Sequence, residues 1–242
     1  MKIVEEKNVH ANRIAQCISE EIKLRQRFNQ HLVLGLATGS TPIPLYEELV
    51  RLHNEENLSF RNVYTFNLDE YCGLDDNHSK SYHYFMNINL FNKIDIPREN
   101  IFIPSGQTEP LFERDYCEGY EQTIKDLGGI DIQILGIGRS GHIGFNEPGS
   151  SIDSITRKVE LHNITRTDAS AEFGGFDNVP THAITMGMQT ILSANRIFFM
   201  AFGEAKKEIT KRAFLEEITD DLPASHLQNH KKIDICTDFK LD

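Results

Sequence analysis

Near the start of the chain Ala11, Ile14, Ala15, Ile18 and Ile22 recur at helical spacing, which predicts an amphipathic helix over 9–28. The pattern then changes. Residues 31–36 form a short, nearly continuous apolar run that reads as a buried strand, and Pro42 suits the first position of a helix reaching about residue 53, capped by Thr41. The unit recurs. A strand over 62–68 ends in Asp69-Glu70-Tyr71 and is followed by a helix over 81–91. A short strand at 100–103 precedes a helix with the face Phe112, Tyr116, Tyr120, Ile124 and Leu127, and then comes a buried strand at 130–135. Beyond it the pattern predicts a strand at 157–161, a helix-like stretch at 186–194, a strand at 196–202, a helix at 204–217, a short helix opened by Leu222-Pro223-Ala224-Ser225, and a last strand at 232–237. The stretch 165–180 differs, with Gly174-Gly175, few large apolar groups and no clear period; it reads as a mobile lid over about 162–181.

Strands alternating with helices imply parallel pairing and right-handed crossovers. The expected fold is α/β: a doubly wound, mostly parallel sheet with helices on both faces, a Rossmann-like three-layer sandwich. At 242 residues the chain suits one domain, 1–242. No solenoid repeat or low-complexity tract interrupts it.

Composition narrows the partners. Hydrophobic content of 39% with 25% charged residues is ordinary for a globular protein. A formal net charge of −11 counts against nucleic acid, whose binding depends on clustered Lys and Arg. It leaves room for a small anionic substrate, because local donors outweigh the global field at contact distance. No apolar run approaches the roughly 20 residues of a membrane helix, and Met1-Lys2-Ile3-Val4-Glu5-Glu6 resembles no signal peptide, so a cytoplasmic protein without a membrane partner is expected. Cys17, Cys72, Cys117 and Cys236 are scattered without a C-x-x-C pair, as reduced packing residues are.

The candidate chemistry centres on residues 136–149, which follow the buried strand at 130–135 and hold five glycines, His142 and Glu147. A loop at the carboxyl end of a strand is where an open α/β sheet binds its ligands. Gly136, Gly138 and Gly141 spell G-x-G-x-x-G, but a dinucleotide fingerprint needs a helix to begin there, and Pro148 and Gly149 leave no room for one. Glycine instead lets the backbone pass close to a bound molecule that His142 faces. A carboxylate such as Glu147 beside one imidazole nitrogen fixes the tautomer and leaves the other nitrogen free to exchange protons. Ser140 lies in no G-x-S-x-G elbow, and His162, His182 and His226 have no metal-ligand spacing, so no metal is expected.

Three other places matter. Thr38, Gly39, Ser40 and Thr41 offer hydroxyls and backbone N–H groups at a helix start, which suits a phosphate, although taken alone the spacing fits an ordinary capped turn better. Lys206 falls in the first turn of a helix, where the macrodipole disfavours a cation unless an anion is near; a solvated surface lysine fits equally. Asp69 and Glu70 end a strand, so their side chains point to opposite faces and only one can enter a given pocket. A carboxylate there could move a proton between neighbouring sugar carbons, and a solvated acidic turn is the plain alternative.

Residues 34–42 (Leu-Gly-Leu-Ala-Thr-Gly-Ser-Thr-Pro), 66–71 (Phe-Asn-Leu-Asp-Glu-Tyr), 138–148, Pro223-Ala224-Ser225 and Leu227-Gln228 together resemble the glucosamine-6-phosphate deaminase (glucosamine/galactosamine-6-phosphate isomerase) family over nearly the whole chain. The resemblance implies conversion of glucosamine 6-phosphate and water to fructose 6-phosphate and ammonia, in amino-sugar catabolism, without metal or organic cofactor. It implies that His142 opens the pyranose ring with the support of Glu147. It further implies that Asp69 takes the C2 proton and delivers it to C1, giving a ketose imine that water hydrolyses. Thr38–Thr41, Gly138 and Lys206 would hold substrate and phosphate.

Two positions depart from the family pattern. Ser140 stands where Asp or Asn assists ring opening, and its hydroxyl can still hydrogen-bond. Glu172 stands about where the family commonly has a phosphate-gripping arginine, with Arg166 as the candidate substitute. Ending at Asp242, the chain resembles the short form without the C-terminal allosteric extension, so no activation by N-acetylglucosamine 6-phosphate and a monomer or small homo-oligomer are expected. The competing readings are a 6-phosphogluconolactonase, which should carry arginine where Tyr71 stands and lack Asn146-Glu147-Pro148, and a non-catalytic sugar-phosphate-sensing module.

Overall fold

Alternate side chains of the central strands feed two separate cores, and that makes the architecture three layers. The structure, a computed structural model, describes residues 5–107 and 113–241. Met1–Val4 of the segment weighed as a leader, and Phe112 of the aromatic helix face, lie outside the described residues. In chain order the elements are α1 (Lys7–Arg27), β1 (Leu32–Leu36), α2 (Ile43–Glu56), β2 (Val63–Asn67), β3 (Asp69–Tyr71), α3 (Tyr82–Asn89), β4 (Ile101–Phe102), α4 (Glu113–Asp126), β5 (Ile132–Leu135), β6 (Arg157–Glu160), α5 (Asn163–Phe173), β7 (His182–Thr185), α6 (Met188–Leu192), β8 (Arg196–Ala201), α7 (Glu204–Leu215) and β9 (Ile233–Thr237), with a short 3-10 helix at Pro223–Asn229.

Six strands form one sheet in the order β4-β2-β1-β5-β8-β9, and every pairing in it is parallel. Leu32, Leu34, Leu36, Ile134 and Phe198 turn to a core shared with α1, α2 and α3, while Val33, Leu135, Ile197 and Phe199 turn to one shared with α4, α6 and α7. Burial on both faces is why these strands read as continuous apolar runs. The chain winds outward from β1 to β2 and β4, then returns to place β5 on the other side of β1. Between β1 and β5 the winding reverses, and this is where a doubly wound sheet opens a crevice at its carboxyl edge.

A second, antiparallel sheet of β3, β7 and β6 corrects the sequence reading, which has a strand only at 157–161 there and no β7. The chain crosses between sheets at Leu68, whose N–H donates to Leu36 of the parallel sheet at 3.0 Å and whose carbonyl accepts from Met186 at 2.6 Å. The stretch expected as a lid, 162–181, shows no clear period in the sequence yet holds α5, closed by Gly174 in the left-handed region at φ 71°. Ala169 and Phe173 pack it onto a third small core with Tyr71, Phe145 and Val179. Helix α2 begins at Ile43 behind Pro42, and no side chain caps it, so Thr41 is not the cap expected. All four cysteines are free, with Cys117 and Cys236 buried. Among the described residues no helix is long and apolar enough to cross a membrane.

Candidate active site

Three strand ends converge on the crevice. Ala37 and Thr38 follow β1, Leu68 and Asp69 follow β2, and Gly136, Ile137 and Gly138 follow β5; with His142, Gly144, Phe145 and Tyr82 they line one cavity of ≈ 160 Å³. The glycine loop contains no helix, as its Gly and Pro content requires.

Strand period separates the two acids. Glu70 turns away from the cavity: its carboxylate accepts from the backbone N–H groups of Tyr71 (2.8 Å), Tyr82 (3.0 Å) and His83 (3.0 Å). It caps the start of α3 together with Ser81, whose Oγ accepts from Tyr84 N–H at 3.0 Å. Asp69 faces the cavity with 5% of its surface exposed. Burial, and secondarily the charge of Glu70, pushes its carboxyl up to about 8. Gly144, at φ 57°, brings the glycine loop against it: a β-carbon there would stand 3.2 Å from Asp69 Oδ2 and 3.0 Å from Thr185 Oγ1.

His142 Nδ1 lies 2.9 Å from Ser140 Oγ and 3.4 Å from Glu147 Oε2, and Ser140 Oγ also donates to Glu147 at 3.5 Å. Both partners meet the same ring nitrogen, leaving Nε2 available to a ligand. Burial works to raise the Glu147 carboxyl, but the bonds and charges of His142, Thr165 and His162 outweigh it and hold the group below the ordinary carboxylate range. The loop is pinned by Gly138 N–H donating to His142 O at 2.9 Å, and farther on by Phe145 N–H donating to Thr185 Oγ1 at 3.0 Å and Asn146 Nδ2 donating to Met186 O at 2.8 Å. Gly138 thus spends its N–H within the loop, and its missing side chain admits the imidazole.

Thr38 reaches the cavity, while Gly39 and Ser40 are exposed beyond it and Ser40 O accepts from Lys7 Nζ at 2.8 Å. Lys206 sits in the first turn of α7 and donates to Ile137 O at 2.9 Å; burial lowers its pKa, and Arg139 adds to that while Asp168 opposes it. Arg166 is placed elsewhere. Its guanidinium donates to the carbonyls of Phe176 (3.2 Å) and Val179 (3.1 Å) and stacks on the Phe176 ring at 4.1 Å, so it ties down the segment behind α5 and does not line the cavity. Glu172 is exposed.

Sequence reasoning missed Tyr82, whose neighbour Ser81 signals the helix cap but not the cavity. It also missed Thr185, which holds the glycine loop from β7, and His162, weighed only as a metal ligand, whose Nδ1 is 4.0 Å from Glu147. Phe145, Tyr71, Tyr82 and Phe173 form a ring cluster, with centroids 5.1 Å apart for Tyr71 and Phe145, that seats α5 beside the cavity.

Fold and site together define a doubly wound α/β protein whose crevice, at the reversal point of its sheet, brings a carboxyl and an imidazole into one cavity. The family model described as glucosamine-6-phosphate isomerases/6-phosphogluconolactonase matches residues 5–235, and the chain belongs to that family. It is 44% identical over 224 residues to a glucosamine-6-phosphate deaminase of Clostridium perfringens, covering 93% of this chain and 90% of the relative, and 47% identical over 206 residues to that of Bacillus pumilus, covering 85% of each. A solved monomeric glucosamine-6-phosphate deaminase superposes with a TM-score of 0.90 at 42% identity, over 96% of this chain and 94% of that one. The 6-phosphogluconolactonase of Trypanosoma brucei, at 19% identity and a TM-score of 0.76 over 98% and 94% of the two chains, shares the fold alone.

Proposed function

We propose that the chain deaminates glucosamine 6-phosphate to fructose 6-phosphate and ammonia. The observation that carries this is the single cavity shared by Asp69, His142 and Thr38, three residues far apart in sequence. His142, oriented at Nδ1 by Ser140 and Glu147, moves the proton that opens the ring. Asp69 then takes the C2 proton while O1 is protonated, giving an enol-amine, and returns a proton to C1 to leave the imine at C2. Water adds to that carbon and ammonia departs. A base with its pKa near the working pH is the efficient one, and the raised value of Asp69 supports its role. Thr38–Thr41, Gly138 and Lys206 form the phosphate and substrate side.

The relatives at 44–48% identity support deamination over lactone hydrolysis. Segment 162–181 serves as the cover of this site within one catalytic domain, and the enzyme acts in the cytoplasm as a monomer or small oligomer, without metal or organic cofactor. Ammonia release from glucosamine 6-phosphate tests the reading. Wild type should turn over, and Asp69→Asn and His142→Gln should each lose ~100-fold or more. Equal rates in all three, or hydrolysis of 6-phosphogluconolactone without ammonia release, would overturn it.

A further inference from the structure

Two cations flank the glycine loop where it meets the cavity: Lys206 donates to Ile137 O at 2.9 Å, and Arg139 stands two residues further along the same loop. Lys206 is half-buried; burial lowers its ammonium, the Asp168 charge opposes that, and the Arg139 charge adds to it. Like charges brought together in this way destabilise one another unless an anion lies between or over them. The carboxylate that offsets them is Asp168 of α5, whose Oδ1 is 2.8 Å from Arg139 Nη2. That pair is open to water, with the two side chains 62% and 38% exposed, and so exposed an ion pair contributes little and exchanges readily. Arg139 also springs from the pinned part of the glycine loop, between Gly138 and Ser140, so its backbone is fixed relative to His142.

We infer that Arg139 is a substrate-positioning residue: the second cation for the sugar phosphate beside Lys206, held by Asp168 in the empty protein and handed to the phosphate on binding. A phosphate dianion accepts from Lys206 and Arg139 together, whereas the Asp168 carboxylate bonds Arg139 while Lys206 donates to Ile137 O, and the planar guanidinium suits two phosphate oxygens at once. Asp168 is then a competitor for Arg139, and the cover helix is engaged through it until substrate arrives. Arg166, whose guanidinium bonds the carbonyls of Phe176 and Val179 and stacks on the Phe176 ring within its own segment, leaves this role open.

The inference rests on the phosphate side proposed above, and steady-state kinetics on glucosamine 6-phosphate, with competition by inorganic phosphate, separates the two. Arg139→Ala should raise KM and the phosphate inhibition constant by ~10-fold or more with kcat unchanged, as for a lost charged hydrogen bond, and Arg139→Lys should recover part of it. Asp168→Asn should lower both constants. If Lys206→Ala changes neither constant, the phosphate reading itself fails. If Lys206→Ala raises them and Arg139→Ala does not, or if Arg139→Ala lowers kcat at constant KM, the inference alone is overturned. A rise in KM in Asp168→Asn matching that of Arg139→Ala would show the pair to be a structural latch and would overturn it too.

Discussion

A β-carbon on residue 138 would stand 2.0 Å from Nε2 of His142, so the imidazole rests on the bare α-carbon of Gly138. Only glycine permits that contact. Gly138→Ala should push the ring off its Ser140 and Glu147 partners and cost kcat/KM ~100-fold, comparable to losing a positioned acid or base. The ring has the cavity to swing into, so the urea midpoint should hardly move. Kinetics and unfolding on the same preparation check this, and a large stability loss would mean that the glycine serves packing.

Asp69 should trade stability for function. Its carboxyl titrates at about 8 in the folded chain against an ordinary value of 3.8, so between those values the folded state holds a proton that the unfolded state has lost. Stability therefore falls as pH rises from about 4 to about 8, by an order of a few kcal/mol. Asn mimics the protonated acid. Asp69→Asn should unfold like wild type near pH 4 and be the more stable protein above pH 8, while being inactive; parallel denaturant curves across pH test the sign.

Ser140 and Glu147 share Nδ1 of His142 unequally in charge. Ser140→Ala removes the neutral hydrogen bond to the ring, worth about 1 kcal/mol, with the long 3.5 Å one to Glu147, and leaves that carboxylate 3.4 Å from Nδ1. A roughly fivefold fall in kcat is expected, with a clearly larger one in Glu147→Gln. Rates of ammonia release in the two variants rank them, and the reverse order would reassign the orienting group.

Glu70 is the structural twin of Asp69. Gln at this position presents one acceptor where the carboxylate now meets the N–H groups of Tyr71, Tyr82 and His83, so Glu70→Gln should cost ~1.5–3 kcal/mol in a denaturant titration.

The parallel sheet was legible because strands buried on both faces leave unbroken apolar runs, and the opposite facings of Asp69 and Glu70 followed from strand period alone. The small sheet was not. β3 has three residues and β7 four, and Asp69 pairs with Thr185 across a gap in sequence that no turn motif announces. Helix α5 escaped for a different reason: Thr165 is its one fully buried residue, and it docks through Ala169 and Phe173 on aromatic rings rather than through a full apolar stripe. The contacts of Arg166 could not be read ahead, because charge and position are visible in a sequence while the carbonyls that occupy a guanidinium are not.

β7 holds both Asp69 and the glycine loop. Thr185 pairs with Asp69 along the ladder and holds the glycine loop through its hydroxyl. The spacing of carboxylate and imidazole is thereby set by one short strand, independent of whatever covers them. Changes in α5 at Asp168 or Glu172 therefore leave the placement of Asp69 against the glycine loop as it is.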